Sequence, residues 1–312
     1  TFSLFYDEKR AFFLDNSDYF DSNYDLVYTR NIVTPDYGAK MTGRTEKHSY
    51  GVFITNDTET NFFLPGNLSS NVAALDQESH STALRYRYDY NDDLSIGTIS
   101  TLRKSTDYHN YVAGIDGRYR ITDSNVIKGQ LLTSQTEYPE DLFKSFCFGD
   151  DCDESKPSDC NLANFGNCSY TEQAIRSNIE GEFSDQAIKI DFSHDSEYWK
   201  LDLSHENIGE NFRADLGYLP KVDKKENTAS VARLFYGGQS SFWQNAKLSS
   251  KLNMITNTKN EFISCVNKSI SSGVFSLIYF HNSLSDNGFK ITSSSSNLSF
   301  RLDNRVPFFC SH

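Results

Sequence analysis

An all-β chain folded as an antiparallel up-and-down transmembrane β-barrel of about fourteen strands is what this sequence predicts. Three observations lead there. Apolar and polar residues alternate in one strand-length segment after another. Leu84, Tyr86, Tyr88 and Tyr90 oppose Arg85, Arg87 and Asp89; Tyr111, Ala113, Ile115, Gly117, Tyr119 and Ile121 oppose Asp116, Arg118 and Arg120; Trp199, Leu201 and Leu203 oppose Lys200, Asp202 and Ser204. Successive strand side chains point to opposite faces, so each segment carries one apolar face and one charged face. The connections alternate short and long, as they do when a barrel gathers its turns at one rim and its loops at the other. Aromatics make up 14% of the chain, with 18 Tyr and 24 Phe. Interfacial girdles need that surplus, although an aromatic-rich soluble core would use it equally.

In chain order, alternation places strands near 26–30, 39–45, 49–56, 82–90, 94–103, 108–121, 125–134, 185–193, 198–206, 226–236, 242–254, 261–270 and 274–282, with a weak fourteenth at 297–303. Asn91-Asp92-Asp93, Thr122-Asp123-Ser124, His194–Glu197 and Gly237–Ser241 are short connections built from turn formers. They alternate with the long connections 57–81, 135–184 and 207–225, while 104–107 and 255–260 are brief exceptions. On this reading Leu84, Tyr86, Tyr88, Ile115, Ile188, Ile190, Phe192, Leu201, Leu203, Ala246, Leu248 and Leu252 form an outward band about 25 Å tall. A soluble sandwich would instead hide them against a second sheet.

The formal net charge of −12 excludes a nucleic-acid surface, which needs clustered Lys and Arg. No segment approaches the ~20 apolar residues of a membrane helix. The chain does not open on a basic-then-apolar leader, so it reads as mature or as a fragment.

Cys147, Cys152, Cys160 and Cys168 crowd the longest loop without the paired spacing of a zinc site and without a His among them. Two disulfides in an oxidising compartment is the expectation, with three pairings open. The acidic residues around them lack the spacing of a calcium loop, and nothing in the sequence asks for a metal or a cofactor. Arg85, Arg87, Asp89, Asp116, Arg118, Arg120, Lys189, Asp191, Lys200 and Asp202 are the expected lumen charges. They either select solutes by charge or close the lumen through cross-strand pairs. His194-Asp195-Ser196 holds the residue types of a hydrolase triad, but adjacent residues on a turn are not expected to face each other as a triad, and no nucleophile-elbow, zinc-protease or phosphate-loop motif is present.

Several stretches resemble a family of bacterial outer-membrane barrels whose full-length members carry a family 9-like carbohydrate-binding domain ahead of the barrel. Tyr6–Asp15 is similar to its opening segment, and Leu26–Arg30 with Gly38–Gly43 to its first hairpin. Phe212–Tyr218 with Pro220 and Asp223 is similar to a later stretch of that family, and Gly114–Asp116 and Leu131–Ser134 keep the same order. The resemblance covers roughly residues 1–245 and includes no catalytic signature. It implies one barrel domain over 1–312 in the bacterial outer membrane, serving solute passage or anchoring a periplasmic sugar-binding domain. Its partners would be outer-membrane lipid and carbohydrate or small solutes. A membrane-associated hydrolase and a surface receptor using loop 135–184 are the alternatives. The carbohydrate-binding domain is missing from this chain, and 262–312 departs from the family, which leaves barrel closure open.

Overall fold

Residues 7–147, 171–237, 243–285 and 288–305 are described in the computed structural model, with side chains as far as residue 264 and excluding 243–244. Alternating segments become strands wherever a neighbour can complete the ladder. The strands are β1 (Pro35–Arg44), β2 (His48–Asp57), β3 (Thr60–Pro65), β4 (Ser70–Leu75), β5 (Ser79–Asp89), β6 (Leu94–Lys104) and β7 (His109–Thr122). They continue with β8 (Asn125–Glu137), β9 (Phe183–Asp195), β10 (Trp199–Ile208), β11 (Lys224–Tyr236), β12 (Trp243–Thr256), β13 (Phe262–Ser285) and β14 (Gly288–Arg305). Twelve of these form one antiparallel sheet in chain order, from β1 through β14, and β3–β4 is a separate hairpin. Among the described residues β1 pairs only with β2 and β14 only with β13, so the described sheet is open along those two edges.

Short turns collect at one end. In the β5–β6 turn the Asn91 side-chain oxygen accepts the backbone N–H groups of Asp93 (3.0 Å) and Leu94 (2.7 Å), the local bonding that suits Asn to tight turns. The described parts of the three long connections lie at the other end, where Gly66 bridges to Lys221 and the Asn67 N–H donates to Glu172 (2.7 Å).

Three of the expected strands differ. Residues 26–30 are not a strand; Thr29–Asn31 is a single 3-10 turn. The Tyr28 N–H donates to Leu216 O (2.9 Å) and the Tyr218 N–H to Asp25 O (2.8 Å), so this stretch is held by the 209–223 connection and not by the C-terminal strand. The 57–81 connection contains the β3–β4 hairpin. The segments 261–270 and 274–282 are one strand, β13, because Ser271 and Gly273 pair on both sides, with Leu248 and Ala246 of β12 and with Leu302 and Phe300 of β14. Two ladders outweigh the turn preference of a Ser-Ser-Gly run.

One face of the sheet is covered by the chain itself. Ile99, Val112, Leu132, Ala187 and Ile208, from β6 to β10, are buried with Tyr24 and Leu26 of the N-terminal segment and with Phe212, Ala214, Leu219 and Val222 of the 209–223 connection. Phe53 of β2 and Ala83 of β5 are buried with Phe13, Phe20, Ile32 and Leu216. A single irregular segment thus touches strands from β2 to β10, and the sheet curls around it.

Candidate membrane-facing surface and filled interior

The opposite face is apolar and uncovered. Register carries it from strand to strand: Tyr86 opposes Thr98, Thr98 opposes Ile115, Ile115 opposes Leu131 and Leu131 opposes Ile188. Farther along, Phe192, Leu203, Ala229 and Leu252 are successive neighbours. All twelve expected band residues lie on this face. Ile115 is 58% exposed, Leu248 55% and Leu84 46%, whereas Tyr88, Ile188, Phe192, Leu201 and Ala246 are half-buried by their neighbours. Exposed aromatics rim the band: Tyr86, Tyr90, Tyr119, Tyr198, Trp199 and Phe235 at the short turns, and Tyr37, Tyr111 and Phe262 toward the long connections. Tyr111 and Tyr119 stand eight positions apart on β7, about 27 Å along the strand and about 20 Å upright at the usual tilt.

The ten charged residues expected in a lumen all sit on the covered face, and several close on partners. Both guanidinium nitrogens of Arg85 donate to the Asp116 carboxylate, one of them at 2.9 Å. The pair crosses β6 above Gly97, where an added Cβ would stand 2.7 Å from the Arg85 guanidinium. Arg87 pairs with Asp89 (3.1 Å), Arg120 with Asp93 (2.8 Å) and Lys200 with Asp195 (2.8 Å). Asp191 accepts from the Ser204 hydroxyl (2.6 Å), and Lys189 lies 5.7 Å from the centre of the Tyr24 ring. Arg118 and Asp202 lie on the same face.

Toward the long-connection end the interior is packed shut around Asp215. Its carboxylate accepts the hydroxyls of Tyr108 (2.8 Å) and Tyr138 (3.2 Å), and its N–H donates to Asn110 Oδ1 (3.0 Å). Its carbonyl accepts from Asn31 Nδ2 (3.1 Å), which also donates to Gly217 O (2.7 Å). Arg103, fully buried, donates to the backbone carbonyls of Asn31 (3.2 Å) and Asn61 (2.5 Å). Burial drives the Asp215 carboxyl above its usual range, against the two tyrosine hydroxyls and the Arg103 and Arg213 charges that favour the anion. Gly217 is required here, since a Cβ would come within 2.8 Å of Leu26 Cα.

The N-terminal segment has its own clasp. Arg10 donates to Glu8, to Ile32 O (2.7 Å) and to Thr29 O (2.9 Å), and the Thr29 hydroxyl donates to Glu8 (2.8 Å). Partial burial works against the Glu8 anion, but the Arg10 and Thr29 bonds outweigh it and hold its pKa at about 2. Val33 and Thr34 N–H groups both donate to Asp57 (2.8 Å each), fixing the segment to β2. Tyr24 reaches the far wall through Gln130 (3.0 Å) and Ile188 O (3.1 Å).

Above this lies a cap built from long connections. Phe62 and Leu64 of β3 pack with Tyr108, Tyr138, Leu142, Phe146, Ala174 and Phe183. The short helix α1 (Glu172–Ser177) adds a buried ion pair from Arg176 to Glu172 (2.9 Å) and a contact to Asp223 (3.4 Å). Cys147 is buried at the edge of the cap and is not a free thiol; Cys152, Cys160 and Cys168 lie outside the described residues. Among the described residues no group of His, Cys, Asp and Glu is arranged to hold a metal, and no helix is long and apolar enough to cross a membrane.

His194, Asp195 and Ser196 do not assemble as a triad, although two of them touch. His194 and Ser196 do meet: His194 Nε2 lies 3.1 Å from Ser196 Oγ, and its Nδ1 lies 2.8 Å from Asn125 Oδ1. Asp195 is absent from the contact because it faces the other way and pairs with Lys200. The Ser196 hydroxyl also contacts the Trp199 backbone, donating to its carbonyl (3.0 Å) and accepting its N–H (3.3 Å), so it clasps the β9–β10 turn.

Sequence reasoning missed Asp215, Arg103, Arg213, Tyr108 and Tyr138 as a group. Arg103 carried a signal, since it shares the inward parity of Ile99 and Thr101 at the end of β6. No family model matches the chain and no curated protein matches it. Among solved structures, a crystal structure of the Pseudomonas putida toluene transporter TodX is similar over 85% of this chain and 81% of that one, at 8% identity and a TM-score of 0.28. A second TodX structure gives 9% identity, 85% and 80% coverage and a TM-score of 0.24. At these scores the likeness carries no argument.

Proposed function

We propose that this protein is a bacterial outer-membrane β-barrel, closed at rest by its own N-terminal segment and long connections, that passes a small solute when the segment withdraws. The observation that carries the reading is the continuous, uncovered apolar face with an aromatic rim at each end. Soluble monomers rarely leave such an area bare, whereas a barrel turns it to lipid. The inward charges then supply a preference of sign for the solute, and paired cysteines would brace the external loop. The resemblance of residues 1–245 to barrels that carry a sugar-binding domain supports carbohydrate as the solute class and leaves anchoring of such a domain as the rival role. Single-channel recording of the full chain in planar bilayers separates them. Rare openings in the wild type that become frequent in Asp215→Ala support passage. Silence from both proteins, each shown to be inserted, supports the anchor.

A second reading, a membrane-associated hydrolase, is favoured by the Ser196–His194–Asn125 contact alone. Asn125 Oδ1 suits a proton on His194 Nδ1, which turns the Nε2 lone pair toward Ser196 Oγ; the serine proton, donated to the Trp199 carbonyl at rest, would have to swing to Nε2 for the base to take it. Covalent labelling of Ser196 by a fluorophosphonate would support it; an unlabelled Ser196 leaves the turn clasp as the serine's role.

A further inference from the structure

On the uncovered face, charge is rare. Among the described residues of β2–β12, Arg233 is the one Lys, Arg, Asp or Glu that faces outward in the short-turn half; Lys104, Glu137 and Lys225 stand at the other end. Its guanidinium carbon lies 4.7 Å from the centre of the Trp199 ring, 5.4 Å from Tyr198 and 5.6 Å from Phe235. Trp199 is its direct cross-strand partner, and all three rings are exposed. The rings stack on the cation without using its N–H donors. No carboxylate pairs with Arg233 and nothing accepts a hydrogen bond from it among the described residues. A guanidinium stays charged in any protein setting, and its fork of N–H donors matches a phosphate.

A second feature lies on the same strands. An apolar depression of about 410 Å³ is bordered by Phe192, Leu203, Ala229, Leu252 and Met254. Ala229 is four residues from Arg233 along β11, about 13 Å toward the middle of the band. An anion-binding fork at the aromatic rim and an apolar trough one strand-half deeper have the spacing of a lipid phosphate and its acyl chains.

We propose that Arg233, framed by Tyr198, Trp199 and Phe235, binds the phosphodiester of a glycerophospholipid in the leaflet at the short-turn rim, with an acyl chain in the depression beside Leu203 and Leu252. The proposal rests on the membrane reading above. It is tested by reconstituting the full chain, Arg233→Gln and Arg233→Lys into vesicles of phosphatidylethanolamine, phosphatidylglycerol and a diacylglycerol with the same chains. Flotation is scored first, then the lipid retained in native mass spectrometry. The wild type is expected to keep a phospholipid, Arg233→Gln to keep about tenfold less, and Arg233→Lys to fall between, having the charge without the planar fork. Diacylglycerol is not retained, and excess inorganic phosphate does not displace the lipid. Equal retention by the wild type and Arg233→Gln, selective retention of diacylglycerol, or displacement by inorganic phosphate overturns the proposal while leaving the membrane reading intact. A wild type that fails to float with the vesicles overturns both.

Discussion

Replacing Asp215 with Ala should release the interior plug without unfolding the sheet. The carboxylate satisfies two buried tyrosine hydroxyls, at 2.8 Å from Tyr108 and 3.2 Å from Tyr138, and sits in the field of Arg103 and Arg213. Each orphaned hydroxyl costs about 1–3 kcal/mol, and a buried cation that loses its counter-charge costs about as much again. The penalties overlap, so about 3–5 kcal/mol is the expected total. It falls on the docking of 209–223 and of the N-terminal segment bonded to it, because the wall strands keep their ladders. At about 1.4 kcal/mol per tenfold, local opening rises by roughly two to three and a half orders of magnitude. Hydrogen exchange read by mass spectrometry should show this in peptides spanning 24–32 and 209–223, with the centres of β7 and β8 unchanged. Asp215→Asn keeps one acceptor oxygen and should show a smaller effect in the same peptides. A uniform acceleration across the strands, or none in the plug, would refute the reasoning.

The other expectations follow from the same geometry. Glu8 has a depressed pKa, so its contribution is present above the unfolded value near 4.5 and is lost as pH falls toward about 2. Denaturation of the wild type should therefore show a loss of stability across that interval that Glu8→Gln lacks. Asp215 has the opposite sign: its raised pKa gives stability that is present at acid pH and lost as pH rises through the folded value, so removing Asp215 should flatten the high-pH side of plug exchange. Gly51→Val puts a Cβ 2.9 Å from the Phe20 ring, and expelling that ring should cost about 1–3 kcal/mol and expose the N-terminal segment to protease. Leu203→Arg should cost about 2–4 kcal/mol in lipid but stay within about 0.5 kcal/mol if that face meets water, as refolding titrations in vesicles can tell.

The wall was legible because alternation is a local property: Leu84 to Tyr90 and Tyr111 to Ile121 declare their faces by parity alone. The plug was not. Residues 7–34 carry no period, and their apolar members Phe13, Phe20, Leu26 and Ile32 are spaced to meet several different strands, which no window along the chain can show. Leu26–Arg30 read as a strand because its composition suits one, yet no neighbouring strand reaches it. The Asp215 group draws on Arg103, Tyr108, Tyr138 and Asn31, residues that only tertiary packing brings together. Parity alone puts Arg85 and Asp116 on one face, but their closure depends on the bare backbone at Gly97, a detail of register across three strands. Adjacency argues against a triad at His194-Asp195-Ser196, and Asp195 turns away to Lys200, yet a turn that folds back puts His194 and Ser196, two apart, within hydrogen-bond reach.

Spin labels at Ile115, Leu203 and Leu248, with labels at Arg118 and Tyr24 for contrast, test the central claim most directly when the full chain is reconstituted in vesicles. An outer face in lipid predicts that the three outward labels relax with dissolved oxygen and are shielded from a water-soluble nickel complex, with oxygen contact greatest near Leu203. The Tyr24 label should be shielded from both reagents by the packed interior, and the Arg118 label should not share the lipid signature. Free access of nickel to Ile115, Leu203 and Leu248 would contradict the account, because the apolar face would then meet water.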